Sequence, residues 1–305
     1  MRSSRWKRLS HGLYVPREPT RLETDLAAWQ LVLPPSACFT SLTAAELRGW
    51  WYPWQAPHPV FVSVPCDAPH PQRRGLFVTR HRRPISSEMI NGIRLASAAK
   101  TLLAAARDLG LLDIVILGDA ALHLRDCTIE ELQAAAQRRR GAPLLRSAVA
   151  LLDERSESPW ESVLRGLHVA AEVETEPQKK IYDEWCNFVA RADLWVVGTR
   201  RVHVYDGEAH RDRERHRADL RRERRLVEID WQRIGFTSPQ LLYEAGRSSL
   251  GWIGCWAGPG IRGVWRDGRP CSTSRFSGLA VAPEQIRRWR RSIQSRWESA
   301  GKLRV

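Results

Sequence analysis

The stretch from Ser158 to Phe236 constrains the fold more than any other, because its periodicity changes in a set order. SPWESVLRGLHVAAEV opens with Ser158 as N-cap, Pro159 at the first helical position and Glu161 at the third, which predicts a helix. Short runs rich in β-branched and aromatic residues follow at about 177–182, 187–195 and 200–206. A long charged helix is expected over about 211–228, and WQRIGF makes one more strand. Helix, three strands, helix, strand is a compact α/β unit.

Acids take distinct places in that order. Asp193 lies inside an apolar strand, RADLWVV, where a carboxylate costs free energy unless it has a partner or a metal. Asp206 closes the next strand, on the face that Val202 and Val204 also occupy, and Gly207 and His210 follow it. Glu161 and Arg165 share a helix face. Helix acid, strand acid, next-strand acid is the order in which a nuclease core collects carboxylates around Mg²⁺. That ion polarises the scissile phosphate and lowers the pKa of the attacking water. Each residue also has a plainer reading. Glu161 fits a capping acid, and Asp193 fits a buried ion pair with Arg165 or Arg191. Asp206-Gly207 fits a turn, and His210 fits a surface histidine as well as a general base or phosphate donor.

SPWESVLR, FVARADLWV, VYDGEAHR and RADLRRERRL, with the Trp-led strand, resemble the PD-(D/E)XK endonuclease-like domain over about residues 156–242. The likeness is to its small very-short-patch-repair-like members in actinobacterial hypothetical proteins. Glu161 and Arg165 match the E-x-x-x-R helix motif; Arg191, Asp193 and Leu194 match R-x-D-L. Tyr205, Asp206, Gly207 and His210 match E-Y-D-G-x-x-H, with Val204 where that pattern has Glu. The resemblance implies catalytic roles for Glu161, Asp193, Asp206 and His210, with Asp193 and Asp206 as Mg²⁺ ligands. It also implies that Arg165, Arg191 and Arg211 face nucleic acid. A valine in place of a metal carboxylate implies weakened or absent cleavage, because it removes a charged ligand from a site with few.

In the first half, LASAAKTLLAAARDLGLLDIVILGDAAL (95–122) predicts helices broken at Gly110. Thr128 and Glu131 form a capping box for the next, and APLLRSAVALLDE is a third. SLTAAELRGW (41–50) reads as a helix capped by Ser41 or Thr43, with Glu46 in its first turn. PVFVSVP and GLFVTRH read as strands of a small β-rich unit. RLSHGLYV, SLTAAELRGW and LASAAKTLLAAA resemble AbiEi-type antitoxin-like proteins of type IV toxin–antitoxin systems. That likeness implies a winged helix, of which HGLYV is the closing strand, with DNA as partner and a cognate toxin as a second one. The expected architecture is therefore an α+β N-terminal region over 1–154, followed by an α/β restriction-endonuclease-like domain over 155–305. The alternative is a non-enzymatic, antitoxin-like regulator.

Charge points to a polyanion. The net charge is +14, with a pI near 10.3. Residues 1–18 hold five Lys/Arg against one acid, 71–83 hold five Arg and no acid, and 283–305 hold seven against two. Arg73, Arg74, Arg82 and Arg83 are thus candidate phosphate contacts. A final helix is expected over 283–299, with Ile286, Trp289, Ile293 and Trp297 on one stripe, while 250–280 gives no clear element. The six cysteines form no CxxC pair, which argues against a zinc finger and a disulfide scaffold. The basic N-terminus lacks the apolar core of a secretory signal, and no apolar run is long enough to span a bilayer. A cytoplasmic protein with reduced thiols and no membrane partner is expected.

Overall fold

The computed structural model describes residues 5–17, 21–51, 59–207, 213–238 and 240–241, and the strand pair at 265–266 and 269–270. The chain divides into two units, 1–149 and 150–305.

In the first unit, β1 (Trp6–Ser10) and β2 (Leu13–Pro16) form an antiparallel hairpin, and α1 (Leu22–Gln30) follows. A five-stranded sheet runs in the order β5-β4-β3-β7-β6. Its strands are β3 (Cys38–Phe39), β4 (Val60–Pro65), β5 (Leu76–His81), β6 (Ser87–Ile90) and β7 (Ile93–Ala96). Leu26 and Trp29 of α1 pack with Phe39, Val62, Val64, Ile93 and Leu95 into one core. Helix α1 lacks the usual sequence signal, because Arg21 at its N-cap makes no side-chain capping bond.

The helix expected from residue 95 starts later. Leu95 and Ala96 belong to β7, and α3 spans Ala98–Ala105. Helix α2 (Ser41–Leu47) is also entered differently: Thr40 is its N-cap, without a side-chain bond, and Glu46 falls outside its first turn. The Thr43 hydroxyl accepts instead from the Phe61 amide at 2.9 Å, so a sheet contact takes the oxygen that capping would have used. Helices α4 (Leu111–His123), α5 (Ile129–Ala135) and α6 (Ala142–Val149) complete the unit. Helix α4 is buried from Leu111 to Leu122 on all sides, as its nearly continuous apolar run requires. Thr128 and Glu131 make the expected capping box on α5, with bonds of 3.0 and 3.3 Å. Buried Cys38 and Cys127 are held as thiols, pushed up to about 11 and about 12 chiefly by burial.

The second unit begins with α7 (Pro159–Ala170), where the Ser158 hydroxyl accepts from the Glu161 amide at 3.2 Å. Strands β8 (Thr175–Tyr182), β9 (Phe188–Val196) and β10 (Arg201–Tyr205) follow as an antiparallel meander. Helix α8 (Arg213–Glu228) then returns the chain so that β11 (Gln232–Phe236) lies parallel to β10. His203 of β10 touches His168 of α7, while the next residue back, Val202, packs with Leu226 of α8. Successive strand residues face opposite ways, so the two helices cover opposite faces of the sheet. Among the described residues no helix is long and apolar enough to cross a membrane. The helix expected over 283–299 lies outside the described residues; within 250–280, Trp265–Arg266 (β12) and Arg269–Pro270 (β13) pair antiparallel.

Candidate functional site

The register of the second sheet sets one row of side chains. Pro177 pairs with Leu194 and Lys179 with Ala192, so Gln178 of β8 stands opposite Asp193 of β9. His203 pairs with Leu194, and one step further Val204 of β10 stands opposite Asp193 on its other side. Val204 in turn pairs with Gly235 of β11. The row therefore reads Gln178, Asp193, Val204, Gly235. Cross-strand neighbours have Cβ atoms about 5 Å apart, so Val204 occupies the place from which a second carboxylate would meet Asp193.

Asp193 is partly buried, and its Oδ2 accepts from the Tyr205 amide at 2.8 Å. Its pKa is raised to about 6, first by burial and further by the nearby Glu161 carboxylate; the Tyr205 bond, Arg233 and Arg191 act in the opposite direction. Asp193 makes no ion pair with Arg165 or Arg191, contrary to the plain reading of its position. Arg191 instead forms a two-bond pair with Glu157, each bond 2.8 Å. Arg165 is buried, 7 % exposed, and donates to the Leu151 carbonyl. Its guanidinium is thus engaged within the fold.

Glu161 is both cap and site residue. Its carboxylate accepts from the Ser158 hydroxyl (2.9 Å), the Glu157 amide (3.0 Å) and the Gln178 side-chain amide (2.9 Å). Gln178 holds a left-handed backbone, φ +54°, inside a strand, and its Oε1 is buried without a hydrogen-bond partner. A strained residue with an orphaned acceptor, beside an acid of raised pKa, is a combination that sequence reasoning missed. Nothing in the run EPQKK marks a left-handed position.

Asp206 goes elsewhere. Its carboxylate pairs with Arg233, and a Cβ built on Gly235 would fall 1.8 Å from its Oδ2. The acid thus lies over Gly235, two strands from Asp193 in the row, or roughly 10 Å away at the usual strand spacing. Asp206 is no turn-only residue either, because Arg233 fixes it in place. Trp160 stacks on Tyr205 beside the row, with ring centres 5.4 Å apart and planes at 16°. His210 and Arg211 lie outside the described residues.

Mg²⁺ prefers several oxygen ligands with carboxylate charge. Here Glu161 already holds three donors, Asp206 is neutralised by Arg233, and Val204 offers no oxygen. Among the described residues no group of three acids, histidines or cysteines converges on one point. The described residues as arranged do not fit the metal. One consequence is measurable. A carboxylate whose folded pKa exceeds its unfolded value near 3.8 destabilises the fold once it ionises. Asp193→Asn, which keeps the acceptor for Tyr205, is expected to raise stability by about 2 kcal/mol at about pH 8, the gain fading by about pH 4. Thermal melts of both proteins at the two pH values check this, and equal melts at high pH would contradict the assigned shift.

The basic residues of 71–83 divide between two places. Arg73 donates to the His11 carbonyl at 2.7 Å, and Ser10 bonds the Arg74 carbonyl at 3.3 Å, so this end joins Arg8 around a groove of about 650 Å³ on the β1–β2 hairpin. Arg82 and Arg83 lie beyond the far end of β5, six residues or about 20 Å along. Neither a protein-family model nor a curated protein matches the chain.

Proposed function

We propose that the protein binds DNA and that its second unit is a PD-(D/E)XK-type domain whose cleavage chemistry is lost. The observation that carries this reading is the row Gln178–Asp193–Val204–Gly235, which keeps one acid and the helix acid Glu161 beside it but puts an alkyl group in the adjoining carboxylate position. The order helix, three antiparallel strands, helix and parallel strand supports the same assignment. The net charge of +14 and the Arg8–Arg73–Arg74 groove supply the sequence-independent grip on phosphates. A non-cleaving DNA binder also suits an antitoxin-like regulator, whose partner toxin would be engaged separately.

Anisotropy titrations on labelled duplex DNA test the binding. Affinity is expected to fall by about 100-fold or more between about 50 and 200 mM salt, as several phosphate contacts require. Incubation of supercoiled plasmid with Mg²⁺ is expected to give no nicked product. Salt-indifferent or absent binding would overturn the DNA reading. Mg²⁺-dependent nicking that disappears in Asp193→Ala would overturn the loss of chemistry.

A further inference from the structure

The second half of the 71–83 run closes a cavity that lies wholly within the first unit. It has a volume of about 410 Å³ and is lined by seven arginines and one lysine, with no acidic residue among its walls. Arg82 and Arg83 enter from the end of β5, Lys100 and Arg107 from α3 and its exit, and the Arg138–Arg140 turn forms the opposite wall. Gly141 seats that turn: its φ is +87°, and a Cβ there would fall 2.6 Å from the Leu103 carbonyl oxygen. The turn is thus held against α3 more closely than any side chain allows.

These cations lack counter-charges. None of them forms an ion pair with a carboxylate among the described residues. The Arg107 Nε is buried without a hydrogen-bond partner, and its Nη1 reaches only the Thr79 hydroxyl, at 3.5 Å. Burial and the charges of Arg107 and Arg139 lower the His81 pKa, and burial and Arg139 lower that of Lys100. Positive charge gathered in a concavity without carboxylate partners attracts anions, and arginine forks match phosphate oxygens in pairs. Ile85, Leu103 and Ala104 add apolar surface to the lining, and Ser63 and Thr79 add hydroxyls. A bare inorganic anion would leave that apolar surface uncovered, and the volume is that of a small-ligand site.

We propose that this cavity binds a phosphorylated nucleoside, with its phosphates on Arg107, Arg139 and Lys100 and its sugar and base against Ile85 and Leu103. The ligand is either a free nucleotide or the 5′-phosphorylated end of a strand, which share this chemistry. The site is independent of the reading of the second unit.

Calorimetric titration of the full chain with ATP, pyrophosphate, and 5′-phosphorylated or 5′-hydroxyl trinucleotides tests it. Saturable binding is expected for ATP and more weakly for pyrophosphate. Arg107→Gln and Arg139→Gln are each expected to weaken ATP binding by about 10-fold or more. Arg200→Gln, in the second unit, is expected to leave it unchanged. Melting temperatures without ligand establish that the variants fold; should Arg107→Gln melt early, the half-buried Arg139 decides. A preference for the 5′-phosphorylated over the 5′-hydroxyl strand, lost in the same variants, would identify the strand end as the source; its absence beside tight ATP binding would identify the free nucleotide. No saturable binding, or equal weakening by Arg200→Gln, would overturn the proposal, whatever the outcome with duplex DNA.

Discussion

Acidification is expected to unfold the second unit well before ordinary carboxylate titration would. The cause is a histidine pair in its core. His168 of α7 and His203 of β10 are both fully buried, with His168 Nε2 2.7 Å from His203 Nδ1. The His168 Nδ1 lies 2.8 Å from the Leu164 carbonyl, so it carries the proton and donates it. That leaves His168 Nε2 bare, and it accepts from the Nδ1–H of His203. The second nitrogen of His203, Nε2, is then a buried acceptor with no hydrogen-bond partner, packed beside Phe236 with ring centres 5.1 Å apart. Neither ring has room for charge. Burial lowers His168 to about 4, its bond to Leu164 offsetting only part of this, and burial followed by the charges of His168 and Arg201 lowers His203 to about 3.

The sign follows from which state binds protons. Unfolded histidines charge near 6.5, whereas the folded pair stays neutral down to about 4. Stability is therefore complete above 6.5 and falls as pH drops from there toward the folded values. Two protons over two pH units amount to about 5 kcal/mol at about pH 4.5. Asp193, raised to about 6, works the other way and returns about 2 kcal/mol over that range. A net loss of about 3 kcal/mol is a large share of a domain's stability. Melts followed by circular dichroism from about pH 8 to 4.5 should show it, and the double variant His168→Leu/His203→Leu should flatten the slope. Either single variant should cost about 1–3 kcal/mol at neutral pH, since it strands the remaining ring's polar atom. A double variant as acid-sensitive as the wild type would exclude the pair as the cause.

What could be read in the sequence divides by the range of the interaction involved. The caps at Ser158–Glu161 and Thr128–Glu131 are legible because donor and acceptor lie three residues apart on a helix start. The strand pattern of β8 to β11 is legible because short β-branched and aromatic runs are likewise a local signal. The pairings of Asp206 and Arg191 are not legible, because their partners, Arg233 and Glu157, stand 27 and 34 residues away. Arg165 looks like a solvent-facing arginine, yet the face it shares with His168 is the buried one. The histidine pair joins α7 to β10 across 35 residues, and neither residue alone distinguishes a core histidine from a surface one. Gln178 is hidden for a different reason: its backbone is set by the sheet and the Glu161 bond, against its own conformational preference.

Val204→Glu is expected to gain a divalent-cation site. Position 204 adjoins Asp193 across the β9–β10 register, so a glutamate there sets its Cβ about 5 Å from that of Asp193 and brings a second carboxylate within reach of the first. Without metal, two adjoining half-buried acids repel, Asp193 moves further up, and the variant should melt below the wild type at about pH 8. With Mn²⁺ or Mg²⁺ the repulsion becomes coordination, because the ion takes oxygen from both acids. Ligand binding to the folded state alone stabilises it by about 2.7 kcal/mol at a hundredfold excess over Kd, a shift of several degrees. The wild type should show no such shift, nor should Val204→Gln, which has the length of glutamate without its charge. Adding Asp193→Asn to Val204→Glu should abolish the metal shift and restore much of the metal-free stability, since it removes both repulsion and ligand. Metal-induced nicking of plasmid by the single variant would add that the rest of the cleavage machinery survives. If Mn²⁺ stabilises Val204→Glu no more than the wild type, then the adjoining carboxylate is not what this row lacks, and the case for a lost metal site at Asp193 falls with it.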